Sequence, residues 1–264
     1  MNKVISKDGT EIAFEKTGSG PAIILVDGAF CSRAMGPMPK LTPFLAQQMT
    51  VFLYDRRGRG DSGDTQPYNI RREIEDIEAL IKYAGGSASL FGLSSGAVLA
   101  LHAVAAGLNV SRLSLYEPPF QTSDTGHHPP KDALAQLNRL IAEGRRGDTA
   151  KYYLTKVIGA PALFAFILRL TPIWPKMKAV ANSLPYDMAI IGDCRIPADL
   201  LASIKVPSIV IGGEKSPEML RQAVQTVARQ LPGARMEMLK RQTHNVSAKV
   251  LAPVLIDFLV NGAR

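Results

Sequence analysis

Ser89-Leu90-Phe91-Gly92-Leu93-Ser94-Ser95-Gly96-Ala97-Val98-Leu99-Ala100 decides how the whole chain is read. The apolar run Ala88 to Phe91 predicts a buried strand, and Ala97 to Ala105 is rich in helix formers. Between them, Gly92-x-Ser94-x-Gly96 gives the strand only a sharp bend in which to become a helix. Such a bend strains the residue at its apex, Ser94, and the two glycines remove side chains that would collide there. The expected product is a serine hydroxyl held above the strand end, with a helix N-terminus behind it. The N–H groups and partial positive charge of that terminus suit a developing oxyanion. A G-x-S-x-G triplet also occurs in plain glycine- and serine-rich loops; the flanking strand and helix favour a nucleophile.

Working outward, buried-strand patterns recur. Ala22 to Val26 is a continuous apolar run of the kind a parallel sheet covered on both faces needs. Thr50 to Asp55, Arg112 to Tyr116, Val206 to Gly213 and Arg235 to Leu239 extend the series. A hairpin about Lys7-Asp8-Gly9 precedes them, joining Val4 to Ser6 with Thr10 to Lys16. Helical periodicity occupies Lys40 to Gln48, Ile70 to Tyr83, Glu218 to Gln230 and Val246 to Val260. The alternation implies an α/β fold: a mostly parallel twisted sheet, helices on both faces, right-handed crossovers. Ligands then sit at the carboxyl ends of the strands. Asp27-Gly28, Asp55, Ser94, Glu117, Glu214 and His244 all fall at such ends.

From Phe120 to about Asp199 the pattern changes. A polar stretch, Thr122 to Pro130, leads into helical segments at Pro130 to Glu143, Asp148 to Lys156 and Pro161 to Leu170. Prolines 172, 175, 185 and 197 read as breaks. The chain therefore divides into a core, residues 1–119 and 200–264, and a helical cap insertion, residues 120–199, covering the sheet. Phe164, Phe166, Ile167, Leu168, Leu170, Ile173, Trp174 and Met177 are expected mostly to pack the insertion onto the sheet, a minority lining a substrate pocket.

At 264 residues, 46% hydrophobic and 20% charged, the composition is that of a globular protein with a full core. No apolar run reaches the length of a membrane span, and the N-terminus lacks the apolar segment of a secretory signal. Cys31 and Cys194 are too few and too far apart for a disulfide framework or a zinc site, which fits a reducing cytoplasm. The net charge of +8 raises nucleic acid as a partner. Its basic groups, Arg56-Arg57-Gly58-Arg59, Arg71-Arg72, Arg145-Arg146 and Lys176-Met177-Lys178, are scattered and not interleaved with aromatics. A solvated basic surface is the expectation instead. The partner expected is a small-molecule substrate, with no nucleic acid and no membrane; a homodimer stays open. No cofactor and no metal are expected.

In the order of its pieces the chain resembles the α/β-hydrolase superfamily over essentially its whole length. The matching pieces are Asp27-Gly28-Ala29, the loop Asp55 to Ser62, the Gly92-Leu93-Ser94-Ser95-Gly96 elbow, Val206 to Gly213, and Gln242-Thr243-His244. The resemblance implies Ser94 as nucleophile and His244 as general base, since a serine hydroxyl needs an imidazole to take its proton. It implies an oxyanion hole from the backbone N–H of Ser95 and of Ala29, or of Phe30 if the loop is shifted by one residue. The chain departs from the family in two places. Asp27 stands where histidine is usual, and a buried carboxylate there calls for a partner such as an arginine of the 56–59 loop. Ser216 stands where the acid is commonest, and serine cannot stabilise an imidazolium. Some members carry the acid after the preceding strand, where Glu117 lies; Glu214 is the rival. The expected activity is cofactor-independent hydrolysis of a small, largely apolar ester or lactone through an acyl-enzyme. The alternatives are a non-hydrolytic receptor or scaffold, or carbon–carbon bond hydrolase, lyase or peroxidase chemistry on the same residues.

Overall fold

A computed structural model describes residues 1–122 and 127–263, so residues 123–126 of the polar Thr122 to Pro130 stretch lie outside the described residues. The strands are β1 (Asn2–Ile5), β2 (Glu11–Thr17), β3 (Ala22–Val26), β4 (Thr50–Tyr54), β5 (Ala88–Leu93), β6 (Val110–Tyr116), β7 (Ser208–Gly213) and β8 (Arg235–Leu239). They form one sheet in the order β1-β2-β4-β3-β5-β6-β7-β8. β1–β2 and β2–β4 are antiparallel, and every later pairing is parallel. The helices are α1 (Met38–Leu45), α2 (Ile70–Tyr83), α3 (Ser95–Ala105), α4 (Ala133–Ala142), α5 (Arg146–Tyr152), α6 (Ala162–Arg169), α7 (Ile173–Ala179), α8 (Leu184–Ile191), α9 (Ala198–Ser203), α10 (Glu218–Gln230) and α11 (Ala248–Leu259).

The strand period of two sorts the side chains into two layers. Ile24 and Val26 pack with Ile77 and Leu80 of α2, Val98 of α3 and Val224 of α10. Ile23 and Leu25 point the other way, onto Leu41 and Leu45 of α1 and Leu251 and Leu255 of α11. β5 is buried along its whole length. Complete burial of Leu90 and Phe91 stabilises the fold by about 1.5–3 kcal/mol for each side chain. The elbow therefore stands on a strand protected along its whole length.

Between β6 and β7 lie α4 to α9 with a third apolar cluster, including Leu137, Leu154, Trp174, Met177, Leu184 and Met188, packed against Ala29 and Phe30. This segment differs from its sequence reading in two respects. Prolines 172, 185 and 197 start helices rather than merely breaking them: α7 begins after Pro172, Pro185 sits in the first turn of α8, and Pro197 caps α9. A proline there forfeits only an N–H that has no intrahelical partner. Second, Phe164, Phe166, Ile167, Leu170 and Ile173 are exposed rather than packed on the sheet, while Trp174 and Met177 are buried.

The 56–59 arginines also depart from expectation. Arg56, Arg57 and Arg59 are buried and paired, not part of a solvated surface. Arg56 makes a two-pronged contact with Glu73 of α2 at 2.6 and 2.7 Å, and Arg57 does the same with Asp76 at 2.9 and 2.7 Å. Guanidinium and carboxylate planes match in this geometry, which lets both charges leave water.

Candidate active site

Ser94 has φ 56° and ψ −126°, a conformation an L-residue occupies only when its surroundings impose it. The impositions are visible. A Cβ on Gly96 would run into the carbonyl oxygens of Val26 and Asp27, so α3 leaves the elbow pressed against the end of β3. The Ser94 N–H donates to the Tyr116 carbonyl at 2.9 Å, anchoring the apex to β6. Ser94 is half-buried, and Ser95, the first residue of α3, is buried. The Ser95 N–H lies in the first turn, where helices lack internal acceptors.

Immediately after Tyr116 comes Glu117, also left-handed at φ 45° and fully buried. Its Oε1 accepts the Gly213 N–H at 2.7 Å, and its Oε2 lies 2.7 Å from Nδ1 of His244. The carboxylate is thus held from β7 and turned on the imidazole. The loop carrying His244 is held as well: Tyr116 Oη donates to the Thr243 carbonyl at 2.7 Å, and the Lys215 N–H donates to the Gln242 carbonyl at 2.8 Å. Glu117 is wholly out of water while the His244 side chain keeps 40% of its exposure, so the ring is gripped at one nitrogen and open at the edge. Glu214, the rival acid, is exposed, and its carboxylate makes no hydrogen bond among the described residues. The other histidines lie elsewhere: His102 is within α3, and His127 contacts the Lys156 carbonyl at 2.9 Å.

The loop after β3 faces the elbow. A Cβ on Gly28 would lie 3.0 Å from the Ser94 Cβ. Arg59 Nη1 donates to the Gly28 carbonyl at 2.6 Å, and Arg56 Nη1 donates to the Asp27 carbonyl at 3.2 Å. Because a trans peptide sets N–H opposite C=O, holding the Gly28 carbonyl on Arg59 turns the Ala29 N–H away from that arginine. Phe30 follows at φ 61° and stacks edge-on against Tyr153 at 5.5 Å between centroids.

Asp27 does not find the arginine partner its burial calls for. Arg56 takes its backbone carbonyl instead, and among the described residues neither carboxyl oxygen has a hydrogen-bond partner. Burial pushes its pKa up to about 8, against the opposing pull of Arg59 and Arg56, so the group stays protonated at neutral pH. An un-ionised carboxyl does not oppose an anion nearby. Burial, reinforced by Asp27, likewise pushes the Cys31 thiol well up.

One residue at the centre of this region carries no sequence signal. Asp187 of α8 is fully buried; its Oδ1 accepts from Arg56 Nη1 and Ser95 Oγ, both at 2.7 Å, and its Oδ2 accepts from Arg59 Nη2 at 2.6 Å. Burial alone would raise its pKa; Arg59 and Arg56 overcome that and hold it below the usual carboxylate value. Leu184-Pro185-Tyr186-Asp187-Met188 looks like any apolar helix start with an acidic residue in its first turn. Only the tertiary fold reveals that this carboxylate gathers two of the three arginines of a distant loop.

The fold and site geometry define a hydrolase-type α/β sheet, and residues 23–251 match the model of the alpha/beta hydrolase family. The chain belongs to that family. It is 47% identical to an alpha/beta hydrolase of solved structure from Sphaerobacter thermophilus, covering 98% of this chain and 100% of that one with a TM-score of 0.93. It is 23% identical over 251 residues to the serine hydrolase BPHL of Homo sapiens, across 92% of this chain and 79% of that protein. It is 33% identical over 104 residues to the uncharacterized hydrolase YraK of Bacillus subtilis, a match spanning 38% of each protein.

Proposed function

We propose that the chain is a cofactor-independent serine hydrolase of a small, largely apolar ester or lactone. Ser94 attacks the carbonyl, His244 takes the hydroxyl proton and returns it to the leaving group, and Glu117 orients His244. The N–H groups of Ser95 and Ala29 hold the oxyanion; water then releases the acid from the acyl-enzyme. The observation that carries this reading is the 2.7 Å contact between Glu117 Oε2 and His244 Nδ1. With Nδ1 engaged, only Nε2 is left to serve a nucleophile. The same contact favours Glu117 over Glu214 as the acid. Residues 120–199 form the cap over this rim, and 1–119 with 200–264 form the core. Two free, buried cysteines accord with the reducing cytoplasm.

The test is turnover of short-chain p-nitrophenyl esters and a lactone panel, alongside labelling by a fluorophosphonate. Ser94→Ala should abolish both turnover and labelling, and retained turnover would exclude the serine mechanism. Glu117→Gln should lower kcat by about 10⁴-fold, the scale seen when a triad acid loses its charge.

A further inference from the structure

α6 is oriented the wrong way round for a packing helix. Leu163, Phe166, Ile167 and Leu170 recur at the spacing that defines one helix face, and their exposures are 68%, 57%, 51% and 75%. The buried residue of α6 is Ala165. Phe164 and Ile173 widen the same apolar surface. A contiguous stripe of this size facing water is uncommon on a protein that works alone in solution.

Charge says what the stripe suits. Residues 149–186 contain Lys151, Lys156, Arg169, Lys176 and Lys178 and not one Asp or Glu. Arg169, at the end of α6, lies 5.9 Å from the centroid of the Trp174 ring. Arg169, Trp174 and Lys178 also line a cleft of about 530 Å³ together with Arg145 and Arg146. Arg145 is committed to Glu143 and Asp148, whereas Arg169, Lys176 and Lys178 have no carboxylate within salt-bridge distance among the described residues. A second copy docked on this face would bring like charges together. An anionic lipid surface would neutralise them while accepting the apolar stripe.

We propose that the α6–α7 face docks on an anionic membrane surface, Leu163, Phe166, Ile167 and Leu170 entering the acyl boundary while Arg169, Lys176 and Lys178 meet headgroups. The sequence reading expected no membrane partner because no segment can span; a helix lying in the interface needs no spanning length. The cytoplasmic leaflet, with its anionic lipids, supplies the matching charge. This docking is independent of the serine chemistry, so loss of either leaves the other standing.

The experiment is flotation of the full chain with vesicles of phosphatidylcholine alone or with phosphatidylserine added, followed also through Trp174, the single tryptophan, by quenching with brominated lipid. The expected result is flotation and quenching with the anionic vesicles only, weakened by high salt. Leu163→Glu/Leu170→Glu should abolish both while leaving melting temperature and ester turnover unchanged, since both side chains already face water. Lys176→Glu and Lys178→Glu should each weaken binding about fivefold or more. Absence of flotation with anionic vesicles, or flotation indifferent to the leucine substitutions, overturns the proposal. So does a concentration-dependent dimer that those substitutions dissociate, which would assign the face to a second copy.

Discussion

Two carboxylates, one in the loop after β3 and one in the first turn of α8, meet the same burial with opposite outcomes. Asp27 and Asp187 are each essentially without solvent contact. Asp187 receives two guanidinium groups and a hydroxyl, and stays ionised. Asp27 lies beside the same arginines, yet they are turned to the loop's backbone carbonyls, and it keeps its proton. Burial by itself does not decide the charge of an acid; the direction in which neighbouring donors point does. Here the donors serve the loop carbonyls and Asp187 of α8 before they serve Asp27.

The hardest way to break that contrast is at Asp187. Asp187→Ala leaves Arg59 buried without a carboxylate and should cost about 3–5 kcal/mol in denaturant unfolding. Because Ser95 Oγ and the Gly28 carbonyl lose their common anchor, kcat should fall more than KM rises. Asp187→Leu combined with Arg59→Met should restore much of the stability without restoring kcat. If the single variant is as stable as the parent, the network contributes no net hold on the inserted helices.

Asp27 gives the next largest effect, and its sign is opposite to the usual one for an acid. The folded protein holds a proton up to about pH 8 that the unfolded chain releases near 3.8. The stabilisation is therefore fully present below about pH 4 and is lost as pH rises toward 8, at about 1.4 kcal/mol per pH unit. Asp27→Asn should flatten that slope in melts between pH 6 and 8. It should also hold kcat level above pH 8, where the ionised parent places a negative charge beside the loop proposed to hold the oxyanion. The smallest expected effect belongs to Glu214→Gln, which should leave kcat unchanged; a drop comparable with Glu117→Gln would move the acid to position 214.

The same contrast marks how far the sequence could be read. Sheet, elbow and the Ile70–Tyr83 and Glu218–Gln230 helices follow from local periodicity, and the structure gives those helices the expected bounds. Glu117 could be singled out as a candidate because it stands at a strand end where the resemblance to α/β-hydrolases allows the acid. Asp187 and its hold on Arg56 and Arg59 could not, because pairs 131 and 128 residues apart leave no periodic trace. The apolar stripe of α6 was visible as a stripe, but hydrophobicity alone says that a face wants cover and not what covers it.

The left-handed backbone at Ser94 carries a consequence for engineering. A non-glycine residue in that geometry costs on the order of 1–3 kcal/mol, whereas the extra freedom of glycine in the unfolded chain costs roughly 0.5–1 kcal/mol. Ser94→Gly should therefore melt above the parent, and Ser94→Ala, which keeps a Cβ, should not. Heat tolerance and the proposed chemistry compete at one position, and a selection for thermal survival alone would drive the hydroxyl out of this protein.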